Sequence, residues 1–101
     1  MGLLDVLFRS TKNSLKDDLI NGAMVIDVRS PSEYQSGHIK GSLNIPLNII
    51  ESHESELKKM KVKIIFCCAS SNRSGRATNK MRDKGIDCIN GGSWLYLNSF
   101  V

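Results

Sequence analysis

Two adjacent cysteines, Cys67 and Cys68, end the apolar run Ile64-Ile65-Phe66 and are followed by Ala69-Ser70-Ser71-Asn72-Arg73-Ser74. A cysteine becomes a strong nucleophile once ionised, and ionisation is favoured where backbone N–H groups without internal partners converge at a helix start. The small and polar residues after Cys68 allow successive N–H groups to point into the bowl their loop encloses. Such groups would also hold a sulfur anion, while Arg73 supplies a cation for an anionic substrate. The plainer alternative is a strand-end cysteine before an ordinary polar loop.

The elements that must position this loop alternate between strand and helix. Helical spacing of apolar residues predicts a helix over Ser14–Ile20, with Asn13 or Ser14 as its cap and Asn21-Gly22 as its stop. Ala23–Val28 is a nearly continuous apolar run, which predicts a strand buried on both faces. Ser30 and Pro31 open a short helix that Gly37 ends, and Leu43–Pro46 is a short extended piece. A helix is predicted over Leu47–Lys59 and a strand over Val62–Cys67. After the cysteine loop, Ala77 and Met81 share a helix face, Gly85 is the stop, and Ile86–Asn90 is a further strand. Gly91-Gly92 is expected to turn the chain into a last helix carrying Trp94 and Leu97. The pattern predicts an α/β domain with a mostly parallel central sheet flanked by helices in three layers. Ligands of such sheets bind beyond the carboxyl ends of the strands, where Asp27-Val28-Arg29 and the two cysteines both fall.

Composition narrows the possible functions. The chain has 101 residues, the size of one domain, and a net charge of +4 from 14 basic and 10 acidic residues. Arg73, Arg76, Lys80, Arg82 and Lys84 concentrate the positive charge, but no aromatic interleaving or nucleic-acid signature accompanies them, so no nucleic-acid partner is expected. For Lys80, Arg82 and Lys84, a solvated helix face suffices. No apolar run nears the roughly 20 residues of a membrane span, and no membrane association is expected. Met1-Gly2 could open an acylation signal, but Val6 stands where that signal takes Ser or Thr; Leu3, Leu4, Leu7 and Phe8 are expected to fold onto the core. Three cysteines without disulfide or metal spacing predict a reduced, cytoplasmic chain with no metal site, in which Cys88 is a buried strand residue.

Four blocks of this sequence, in order, resemble the rhodanese family over about residues 23–101. Val25–Arg29 is similar to the family's Asp-Val-Arg strand end, Glu33–Pro46 to its next block, Cys68–Ser74 to its active-site loop, and Gly91–Trp94 to its glycine-tryptophan block. The resemblance implies a single rhodanese-like domain over 1–101 acting as a thiosulfate sulfurtransferase. Cys68 would take sulfur from a small anionic donor such as thiosulfate, hold it as a persulfide, and pass it to cyanide, another thiophile or a protein thiol, with no cofactor. Ala69, Ser70, Ser71, Asn72, Arg73 and Ser74 would cradle the sulfur, with Arg73 orienting the donor or bracing the loop. Family loops often carry a basic residue where this chain has Ala69, and a glycine where it has Ser71, so Ser71 must adopt the backbone angle of glycine.

Two other readings use the same residues. Counted from Cys67, five residues precede Arg73, the spacing of cysteine-dependent phosphatases, although Phe66 and Ser70 replace the histidine and glycine of those enzymes. A non-enzymatic binding or sulfur-carrier module is the third reading. Structural support is expected from Asp27, accepting backbone N–H groups, from Arg29, pairing with Glu33, and from His38, tying loops together. His53 reads as an exposed helix residue, and Trp94 as packing on the core near the site.

Overall fold

A computed structural model describes residues 14–101 as an α/β domain. Strands β1 (Met24–Asp27), β2 (Leu43–Asn44), β3 (Ile64–Cys68) and β4 (Cys88–Ser93) form one sheet in the order β2-β1-β3-β4, with every pair parallel. Helix α1 includes residues 14–20, α2 is Pro31–Ser36, α3 is Glu54–Lys59, α4 is Asn72–Asp83 and α5 is Trp94–Asn98. The expected packing of Leu3, Leu4, Leu7 and Phe8, and a cap at Asn13, lie outside the described residues. No helix among the described residues is long and apolar enough to cross a membrane.

Alternation along the strands sorts the core onto two sheet faces. Ile26, Ile64, Phe66 and Cys68 pack with Ile50, Leu57, Ala77 and Met81 on one face. Val25, Ile65 and Cys67 pack with Leu15, Ile39 and Leu97 on the other. Burial on both sides explains why β1 and β3 read as unbroken apolar runs. Chain order reverses at β1, which lies between β2 and β3, so the crevice between the carboxyl ends of β1 and β3 is the topological switch point.

Local chemistry sets several boundaries where the sequence placed them. Ser30 caps α2 through a full capping box with Glu33, and Pro31 occupies the first turn. Gly85 follows the end of α4 at φ +83°.

Several boundaries differ from expectation, among them the start of β4, which lies at Cys88 rather than Ile86. The segment expected as one helix over 47–59 begins as a 3-10 helix, Leu47–His53, because the apolar Leu47 and Ile50 are three apart, the spacing that a 3-10 turn stacks on one side. β3 starts at Ile64 rather than Val62, which is left exposed, and it includes Cys68. Gly91-Gly92 does not turn the chain. β4 continues through both glycines to Ser93, with Phe66 opposite Asn90 and Cys67 opposite Gly92, so Gly91 is the extra residue of a β-bulge.

The bulge requires glycine at position 91. A Cβ there would lie 2.6 Å from Ile65 Cγ2 and 3.1 Å from the Phe66 carbonyl oxygen. Gly91→Ala is therefore expected to destabilise the fold by about 1–3 kcal/mol through overpacking, lowering Tm by roughly 4–8 °C per kcal/mol, as read by thermal denaturation. An unchanged Tm would mean that the bulge has slack.

Candidate active site

At the carboxyl end of β1, Asp27 and Arg29 form a buried ion pair, with side chains only 1% and 6% exposed. Arg29 Nη2 donates to Asp27 Oδ2 at 2.7 Å, Nε donates to both carboxylate oxygens at 3.0 Å, and the Arg29 backbone N–H donates to Oδ1 at 3.0 Å. Nη2 also donates to the Gly37 carbonyl at 2.7 Å, and the guanidinium lies over the Trp94 ring, 4.8 Å from its centroid. Asn44 Nδ2 donates to the carbonyls of Asp27 and Arg29 at 3.0 Å each. Asp27 thus accepts a backbone N–H as expected, whereas the expected Arg29–Glu33 pair does not form. The carboxylate two residues back is buried with Arg29 and meets its fork directly, which leaves Glu33 for another partner.

That partner is Arg73. Its Nη1 and Nη2 donate to Glu33 Oε1 and Oε2 at 2.7 and 2.9 Å, a fork-to-fork pair tying α4 to α2. The Arg73 guanidinium, aided by the N–H of Ser30, holds the Glu33 carboxyl down to about 2. Arg73 is therefore held against α2, its guanidinium already paired with a carboxylate. Among the described residues, the contacts of His38 are with α2: its Nδ1 is 2.7 Å from the Tyr34 carbonyl one helical turn back, and its ring stacks on Tyr34. His53 is half-buried and pairs with Glu56, and Trp94 packs against the core as expected. Arg82, expected only as part of a solvated face, donates from Nε to the Cys88 carbonyl at 3.0 Å.

Cys67 and Cys68 point to opposite faces of the sheet. Burial, reinforced by the negative charge of Asp27, pushes the Cys67 thiol up to about 12. Cys68 is also fully buried, and desolvation opposes its ionisation, yet the opposing hydrogen bonds prevail. The Ser74 hydroxyl, the Ser74 N–H, and the N–H groups of Ser70 and Ser71 together hold its thiol below the usual value. The Ser71 N–H donates to Sγ at 3.1 Å and the Ser74 N–H at 3.3 Å, with Ser74 Oγ at 3.2 Å. Ser71 adopts φ +76°, ψ −8°, the left-handed conformation expected of it, and this turns its N–H onto the sulfur. Ala69, Ser70 and Asn72 form the exposed rim.

The sequence reading missed Asn90. Its side chain accepts from Ser74 Oγ at 2.6 Å and from the Gly92 N–H at 2.9 Å, and it donates to the Ser71 carbonyl at 3.2 Å. Pairing with Phe66 puts Asn90 on the Cys68 face of the sheet. The only local signal, Asn before Gly-Gly, reads as turn chemistry.

The rhodanese-like domain family matches residues 11–95, most of the chain. The chain belongs to the rhodanese-like family. YqhL, an uncharacterised protein of Bacillus subtilis, is 41% identical to this rhodanese-like chain over 63 residues, covering 62% of the chain and 49% of YqhL, so the match spans about half the relative's length. The solved structure of the human single-domain sulfurtransferase TSTD1 superposes with a TM-score of 0.69 at 28% identity, covering 83% of the chain and 88% of TSTD1. M-phase inducer phosphatase 1 of Bos taurus is 34% identical over 86 residues, covering 77% of the chain but only 16% of the phosphatase.

Two consequences of this rhodanese-like loop can be measured. Ser71→Gly should raise stability by about 0.5–1 kcal/mol in chemical denaturation, because glycine carries no Cβ penalty at positive φ and part of the gain is offset by unfolded-chain entropy; a loss would show that the Ser71 side chain makes a compensating contact. For Glu33, the folded carboxyl titrates near 2 and its ordinary value is 4.5. Its contribution to stability is fully present above 4.5 and disappears as pH falls through about 2. Glu33→Gln should therefore melt below the native protein at pH 7, with the difference closing between pH 4.5 and 2; a constant difference would mean that the ion pair stabilises nothing.

Proposed function

We propose that this protein is a sulfurtransferase that carries sulfane sulfur as a persulfide on Cys68. The observation that carries the reading is the convergence of the Ser71 and Ser74 N–H groups and the Ser74 hydroxyl on one sulfur, at 3.1–3.3 Å. With thiosulfate, the Cys68 thiolate attacks the outer sulfur, a new S–S bond forms, and sulfite departs with the electron pair of the broken S–S bond. A thiolate or cyanide then attacks the outer sulfur of the persulfide and returns Cys68 as thiolate. No net oxidation of the protein occurs, and the two half-reactions predict ping-pong kinetics. Cys68 is buried beneath the exposed residues Ala69–Asn72, on the side from which a donor would approach.

An anionic donor suits the surroundings of the loop. Beside the loop, a groove of about 450 Å³ is lined by Val28, Ser30, Leu47, Arg73, Arg76 and Lys80; Arg73 and Lys80 are paired with Glu33 and Glu51, so Arg76 is its cation without an ion pair among the described residues. Likeness to TSTD1 supports the same chemistry. The phosphatase reading draws on the likeness to M-phase inducer phosphatase 1. Against it stand the thiol of Cys67, held near 12 on the far face of the sheet, and the fork of Arg73, occupied by Glu33.

Mass spectrometry after thiosulfate treatment tests the assignment. A gain of one sulfur atom is expected on Cys68, with Cys68→Ser losing both the adduct and cyanide-dependent turnover, and Cys67→Ser retaining most of each. Loss of activity in Cys67→Ser alone, or hydrolysis of an aryl phosphate without a sulfur adduct, would overturn the reading. A protein showing neither adduct nor turnover is a binding module.

A further inference from the structure

The Ser74 hydroxyl stands between two acceptors and carries one proton. Its oxygen is 2.6 Å from Asn90 Oδ1 and 3.2 Å from Cys68 Sγ. The orientation of the Asn90 amide is set by backbone partners at both ends, since the Gly92 N–H donates to Oδ1 and Nδ2 donates to the Ser71 carbonyl. The short contact therefore runs from the Ser74 hydroxyl to Asn90. With its proton so committed, Ser74 Oγ faces sulfur as an acceptor, which matches a protonated thiol donating S–H. It does not match a thiolate, because lone pairs would then face each other across 3.2 Å.

We propose that Asn90 is a positioning residue that governs the Ser74 hydroxyl: it holds the proton away from Cys68 while Sγ is neutral and yields it when Sγ carries charge. On ionisation the S–H proton leaves to solvent, the hydroxyl rotates about its Cβ–Oγ bond to donate to Sγ, and Asn90 Oδ1 keeps the Gly92 N–H. The negative charge of a persulfide sits on the outer sulfur, so once sulfur is loaded the hydroxyl returns to Asn90. That last step rests on the sulfurtransferase reading; the first needs only the thiol. The charged and titratable groups that reach Cys68 are Cys67 on β3 and Arg73 on α4, the latter paired with Glu33 on α2, while Asp27 and Arg29 at the end of β1 face Cys67 on the other side of the sheet. Asn90 is the neutral contribution of β4, so replacing it by another neutral residue changes none of these charges.

The pH profile of Cys68 alkylation by iodoacetamide, followed by peptide mass, tests the proposal in the full chain with Ser74 intact and in a Ser74→Ala background. Asn90→Ala frees the hydroxyl for the thiolate but also removes the brace on the Ser71 carbonyl, and only the first effect needs Ser74. The midpoint shift with Ser74 intact should thus lie about half a pH unit below the shift in the Ser74→Ala background, a roughly threefold difference in the thiolate-to-thiol ratio. Asn90→Asp keeps the acceptor and strengthens it, so its coupling to Ser74 should have the opposite sign. It also supplies the test if the Asn90→Ala variant does not fold. Equal shifts in the two backgrounds, or couplings of one sign for both replacements, would overturn the proposal and leave Asn90 as a loop brace. The expected couplings in a protein that takes no sulfur from thiosulfate would support the role of Asn90 while removing the sulfurtransferase reading.

Discussion

The buried pair between Asp27 and Arg29 is the constraint on which the carboxyl edge of the sheet depends. Two charges withdrawn from water are tolerated only when their remaining donors and acceptors are met, and breaking such a pair typically costs about 3–5 kcal/mol. Here the two residues engage the Gly37 carbonyl after α2, the Asn44 side chain of β2 and the Trp94 ring of α5. The ion pair itself thereby holds the end of α2 and the start of α5, while the backbone carbonyls of the same two residues hold β2. Its charges also act on the neighbouring strand: Asp27 disfavours a thiolate at Cys67, which burial already disfavours more strongly.

A balance of a different kind holds Cys68. Burial alone would leave a protonated and inert thiol there, and only the hydrogen bonds directed at Sγ reverse that tendency. Those bonds depend on backbone geometry that costs energy locally. Ser71 sits in the left-handed region, and its carbonyl is held by Asn90, which the β4 strand delivers one residue before the Gly91 bulge. Arg73 contributes at one remove, through Glu33, by fixing the start of α4 against α2. Two vicinal cysteines consequently differ in character because strand alternation sends one toward Asp27 and Arg29, and the other toward the loop amides.

How far these features were legible in the sequence follows the range of the interactions. The capping box of Ser30 and Glu33, the stop at Gly85 and the apolar runs of β1 and β3 are encoded within a few residues. The left-handed Ser71 was anticipated only through the family resemblance, because rhodanese-family loops often carry glycine at that position. Gly91-Gly92 misled, since glycines permit a turn and a bulge alike, and only the packing of Ile65 and Leu97 against Gly91 selects the bulge.

Local sequence by itself determined the order of elements, the placement of Cys68 at a strand end and the chemistry available to the loop behind it. Tertiary structure alone decided the partners: Arg29 with Asp27 rather than Glu33, Glu33 with Arg73 forty residues away, and Ser74 with Asn90 sixteen residues away. The physical reason is that capping, turns and periodicity are settled by neighbours in the chain. A side chain's choice among several charged or polar partners is settled by which of them the sheet register brings within reach, and which of them burial forces to be satisfied.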